Sequence, residues 1–246
     1  MKKILPFLII AIFLISCSKD NEYDLCNNLP PDLNPTHEFI GTFLPMPLFA
    51  VSLNPNNPKE MLVFINRYKN CLYYYNIETH EHYPIAPDLT VVTFDWGVNN
   101  LLLVGSLRDY STYIVKPNGD SLTKLNLGIQ AGGANWGYNC QEIIVGSWVS
   151  RCAYLFTPKG DFIDTICTPY GTGGSRIPLS KDKYLFFNYT NSYIYDKVDK
   201  SYNVIFNKSQ SSINYGGALL VDDMIYFSDN YQTLYKMNID GSNLQV

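Results

Sequence analysis

Histidine is scarce. Three occur in 246 residues, so imidazole chemistry has only His37, His80 and His82 to draw on. A serine hydrolase needs one of them to take the serine proton. No Gly-x-Ser-x-Gly elbow accompanies them, so a catalytic triad is not expected. Charge is also thin, at 16% of residues, with Lys plus Arg 18 against Asp plus Glu 22 and a net charge of -4. Without clustered cations there is no surface to displace counterions from phosphates, so nucleic acid is excluded as a partner. No Cys-x-x-Cys is present, which removes zinc ribbons and thioredoxin-type redox sites. The glycine-rich stretches 130–134 and 171–175 lead into predicted strands, whereas a phosphate loop must lead into a helix. No cofactor is expected. What remains is an apolar chain, 46% hydrophobic, which excludes intrinsic disorder. Its 20 Tyr and 13 Phe favour β-structure.

Only one long hydrophobic run exists, Ile4 to Ile15, behind the positive head Met1-Lys2-Lys3 and broken by Pro6. At a rise of about 1.5 Å per residue it spans roughly 18 Å, short of the roughly 30 Å of a bilayer core. It reads as a secretory signal. Its end, Leu14-Ile15-Ser16-Cys17, resembles the lipobox of bacterial lipoproteins. The resemblance implies a signal peptide over 1–16 and acylation (palmitate) of Cys17; the alternative is an ordinary signal with a chance cysteine. Ser18-Lys19-Asp20-Asn21-Glu22 is similar to the surface-export signal of Bacteroidetes lipoproteins, which implies the outer membrane and a surface-exposed place in the cell envelope. Residues 17–36, with Pro30, Pro31 and Pro35, read as the lipidated cysteine and an extended linker.

Residues 37–246 are repetitive. Lys116-Pro117-Asn118-Gly119-Asp120 and Thr157-Pro158-Lys159-Gly160-Asp161 each put a turn between apolar, aromatic-rich runs. Gly160 lies 41 positions after Gly119, and Gly241 lies 81 further on, two periods away. The missing copies fall near Lys200 and near Thr79. Five apolar runs precede these turns, starting at Leu62, Leu101, Glu142, Tyr184 and Met224, at separations of 39, 41, 42 and 40. Asp95-Trp96-Gly97 and Asn135-Trp136-Gly137 align, and both lead to a Val-Gly-Ser, at 104–106 and 145–147. The runs are too short and too β-branched for helices. A period near 40 with several strands per unit predicts an all-β fold, a β-propeller of five blades. The pattern is similar to TolB-like propellers, and Leu234 to Asn243 resembles their third strand and turn; that likeness implies six blades. His37-Glu38-Phe39-Ile40-Gly41-Thr42-Phe43 could supply an outer strand to close the ring, or the ring is incompletely closed.

With Cys17 assigned to lipid, five cysteines remain: Cys26, Cys71, Cys140, Cys152 and Cys167. Cys152 and Cys167 flank the Lys159-Gly160 turn symmetrically. The register admits a cross-strand disulfide, or two buried thiols. Glu78, His80 and His82 share one predicted turn, with the two histidines on one face of a strand. An exposed polar turn is preferred there to a metal site, and no metal is expected. Asp120-Ser121-Leu122 and Asp164-Thr165-Ile166 resemble the O-glycosylation acceptor of exported Bacteroidetes proteins.

In propellers, the linkers between blades and the loops between second and third strands share one end. Here those loops carry Arg67, Arg108, Asp109, Tyr110, Trp148, Arg151 and Tyr231; the linkers add Gln130, Tyr170 and Arg176. Arg and aromatic residues dominate binding hot spots. The expected function is therefore a lipid-anchored, extracytoplasmic propeller acting as a binding or scaffold protein for a protein or glycan partner. The rival is a polysaccharide hydrolase or lyase using Asp95, Asp109 and Tyr110.

Overall fold

A computed structural model describes residues 48–66, 70–147, 149–188, 191–207, 215–221, 223–229 and 233–246. The chain forms five antiparallel sheets, each built from consecutive strands. The first holds β1 (Leu48–Asn54), β2 (Asn57–Asn66), β3 (Asn70–Asn76) and β4 (His82–Ile85). The second holds β5 (Val91–Trp96), β6 (Leu102–Ser106), β7 (Ser111–Val115) and β8 (Thr123–Lys124). The third holds β9 (Ala131–Trp136), β10 (Ile143–Ser147), β11 (Cys152–Phe156) and β12 (Phe162–Cys167). The fourth holds β13 (Ser175–Pro178), β14 (Lys183–Phe187), β15 (Asn191–Asp196) and β16 (Ser201–Asn207). The fifth has three strands, β17 (Tyr215–Val221), β18 (Met224–Asp229) and β19 (Leu234–Asn238), and Gln245 bridges back to Lys236 where a fourth strand would lie. This is a β-propeller, and the described residues supply five blades rather than six. The segment around His37–Phe43 lies outside the described residues, as do Cys17, Arg67, Trp148 and Tyr231.

The apolar runs are second strands, and alternation explains why they are unbroken. Successive side chains on a strand point to opposite faces. Leu102 and Val104 enter the core shared with the first blade, while Leu103 between them enters the core shared with the third. Ile143 and Val145 face the second blade and Ile144 the fourth. Tyr184 and Phe186 face the third blade, Leu185 and Phe187 the fifth. Among the described residues the second strands of blades two to four are thus sandwiched between neighbours, and four cores join the five blades in chain order; Met61 and Val63, on the other face of β2, pack with Tyr75 of the same blade. Fully burying one such side chain stabilises by about 1.5–3 kcal/mol.

The turn glycines adopt the left-handed backbone their period implied: Gly119 at φ 84°, Gly160 at 95° and Gly241 at 85°. Each amide donates at 2.9 Å to the carbonyl three residues back, of Lys116, Thr157 and Asn238. In the other two blades the left-handed residue is not glycine: it is His80 at φ 61° and Lys200 at φ 52°. Cys152 and Cys167 face each other across β11 and β12 and are joined by a disulfide. Cys71 is also disulfide-bonded, whereas Cys140 is a free, buried thiol.

Candidate functional site

Hydrogen bonds tie the second-to-third-strand loops to the blade linkers at one end of the molecule. The Leu107 amide donates to Thr90 O at 2.8 Å, and the Ala131 amide donates to Tyr110 O at 2.8 Å. The Thr172 hydroxyl donates to Arg151 O at 3.3 Å, and the Asn188 side-chain amide donates to Tyr170 O and Gly171 O at 3.3 and 3.2 Å. Both sets of loops therefore meet in blades two to four. Arg108 and Arg151 are exposed there, and Tyr110 is 40% exposed.

Asp109, in the same loop, is committed internally. Its carboxylate receives hydrogen bonds from Lys124 Nζ and the Tyr113 hydroxyl, both at 2.7 Å. Partial burial works to raise its pKa, but these partners outweigh that and hold it well below the usual carboxylate range. Lys124 thereby fastens the loop to β8, leaving Arg108 and Tyr110 as its outward-facing groups.

Beside this latch lies a cavity of about 300 Å³, lined by Ser111, Thr112, Lys124 and the linker 125–131. The linker alternates like a strand. Leu125, Leu127 and Ile129 pack into the core between blades two and three, while Asn126, Gly128 and Gln130 are exposed. Thr112 is fully buried and its hydroxyl has no hydrogen-bond partner.

Arg176 does not belong with the exposed arginines. It lies one residue inside β13 and is only 6% exposed, correcting its expected place on the binding face. Its guanidinium donates to Gly174 O at 3.0 Å and Gly133 O at 3.2 Å, and its Nε has no partner. The Val-Gly-Ser glycine of blade three makes the room. A Cβ on Gly146 would sit 2.6 Å from Arg176 Nη2. Burial pulls the guanidinium down to about 10.

Asp95 is similarly tied in. Its carboxylate accepts the Trp136 amide at 2.7 Å, stitching blade two to blade three. Burial pushes its pKa up to about 6, against the pull of its hydrogen bonds from Trp136, Asn135 and Trp96 and the charge of Arg176. The polar hairpin of blade one makes its own internal contacts: Glu78 pairs with Lys59 at 2.6 Å, His80 Nδ1 meets the Tyr75 hydroxyl at 3.0 Å, and His82 Nδ1 meets His80 O at 3.0 Å.

Sequence reasoning missed two polar features. One is the Lys124–Asp109 latch with its cavity. The other is a buried knot between blades three and four, where Glu142 accepts from the Tyr184 hydroxyl and from Lys197 Nζ, the latter at 2.7 Å. Their only trace in the sequence is that Glu142 and Tyr184 open apolar runs one period apart.

No family model and no curated protein matches the chain. Solved structures do. The chain is similar to a chain of the nidogen/laminin complex, with a TM-score of 0.66 at 8% identity over 80% of this chain and 77% of that one. It is similar to TolB from Acinetobacter baumannii, with a TM-score of 0.63 at 13% identity over 79% of this chain and 52% of that one. It is also similar to virginiamycin B lyase from Staphylococcus aureus, with a TM-score of 0.55 at 12% identity over 79% and 68%. At these identities the likeness is one of fold.

Proposed function

We propose that the chain is a binding propeller, held to the outer membrane by lipid on Cys17. It presents its loop-rich end to a protein or glycan outside the cell. The anchor and the location are supported by the signal and the Leu14-Ile15-Ser16-Cys17 ending. The binding role is supported by the fold it shares with the nidogen/laminin chain and TolB. One observation carries the choice of face: Arg108, Tyr110 and Arg151 are held outward on loops fixed to the linkers of the next blade. Preorganised loops lose little conformational freedom on binding, so their contacts convert more fully into affinity. The polysaccharide-cleaving alternative has less support, because the carboxylates of Asp95 and Asp109 already accept internal hydrogen bonds. The test is capture of partners by the full chain from native envelopes, followed by Arg108→Ala, Tyr110→Ala and Arg151→Ala. Hot-spot residues cost about 2 kcal/mol or more each when truncated. A partner whose affinity ignores all three would refute the face. A Cys17→Ser chain that still takes up labelled palmitate would refute the anchor.

A further inference from the structure

We propose that the blade-two cavity is a subsite for one neutral sugar residue of a glycan. This deepens the reading of the loop-rich end as the binding end, and rests on it. A volume of about 300 Å³ lies at the small end of the roughly 300–1,000 Å³ typical of ligand pockets. It suits a single ring better than a peptide segment.

The lining decides the chemistry. Asn126 and Gln130 place two planar amides on the exposed side of the linker, with side-chain-free Gly128 between them. A Cβ at Gly128 would meet nothing within 4 Å, so the floor between the amides is open. Amides donate and accept at once, as vicinal sugar hydroxyls require. Ser111 adds a hydroxyl that donates to the Asp109 carbonyl at 3.1 Å and can still accept from a ligand.

Two alternatives fit less well. An acidic ligand would need a free cation, and the lining's one cation, Lys124, is already neutralised by Asp109 at 2.7 Å. A peptide side chain would seek an aromatic or arginine-lined anchor pocket, and the lining contains neither.

The experiment uses the full chain in a detergent without a sugar headgroup. Maltotriose, cellotriose, xylotriose, mannotriose, galactotriose and tri-galacturonate are titrated by calorimetry and by saturation-transfer NMR. At least one neutral trisaccharide should bind. Asn126→Ala and Gln130→Ala, both exposed and so harmless to folding, should each weaken it about three- to tenfold. Lys181→Ala, an exposed change on the turn between β13 and β14 of blade four, should leave it unchanged. Failure of every neutral trisaccharide overturns the subsite; so does preference for tri-galacturonate, or binding indifferent to both amide variants. If macromolecular capture still depends on Arg108, Tyr110 and Arg151, the subsite alone falls. If sugar binding follows Asn126 and Gln130 while capture ignores the loops, the broader reading alone falls.

Discussion

Three copies of one turn glycine should respond differently to the same substitution. Gly119, Gly160 and Gly241 share a left-handed φ and the same amide–carbonyl hydrogen bond. Alanine in that conformation costs roughly 1–2 kcal/mol, offset by about 0.4–1 kcal/mol from a stiffer unfolded chain. At Gly119 nothing lies within 4 Å of the added Cβ, and at Gly160 the first neighbour is Leu127 Cδ2 at 3.6 Å. Both variants should therefore lose about 1 kcal/mol. At Gly241 the added Cβ would stand 2.0 Å from the Ile205 carbonyl oxygen, on the outer strand of blade four. A backbone oxygen cannot swing aside, so overpacking of about 1–3 kcal/mol is added. Gly241→Ala should lose about 3 kcal/mol in total, a fall of roughly 6–12 °C in Tm for a domain of this size. Urea unfolding followed by circular dichroism measures all three. Gly119→Asn is the control, since asparagine tolerates the left-handed region, and it should lie near the parent. The reasoning is refuted if the three alanine variants agree within about 0.5 kcal/mol, the usual spread for inconsequential surface changes.

The folded pKa of Asp95, about 6, exceeds its ordinary 3.8. The native state thus holds the proton more tightly than the unfolded chain. Its contribution is complete below about pH 4 and disappears as pH rises through 6, a change of about 3 kcal/mol. The stability difference between the parent and Asp95→Asn, measured by urea unfolding from pH 3 to 8, should move by that amount in favour of the variant; a flat difference would contradict it. The Cys152–Cys167 bridge has a sequence separation of 15. Replacing both cysteines by alanine should cost about 3 kcal/mol through restored freedom of the unfolded loop. Equal midpoints for the two chains in denaturant would count against the bridge.

The blade pattern was legible because it rests on local rules. Buried second strands must be apolar on both faces, and hairpin turns favour glycine. Blades one and four were harder to place, since His80 and Lys200 occupy the left-handed position without announcing it. The exposed arginines of the loops were legible from position alone. Arg176 was misplaced because Gly173-Gly174-Ser175 reads as a loop, and the sequence does not reveal that Gly146, some thirty positions earlier, leaves it a berth. The Val-Gly-Ser repeat was visible, but its meaning was not, because a missing side chain matters only once the atom from another blade that fills the gap is known. The cavity was hidden for the same reason. Its latch joins Lys124 to Asp109 across a whole hairpin.

Because four cores among the described residues are each shared between consecutive blades, blades two to four stand like books in a row, each held upright from both sides. Cooperativity in such an arrangement passes from neighbour to neighbour. A chain that emerges head first during synthesis can set its first two wedges before the last has appeared. Damage to one of the middle wedges then opens two seams at once.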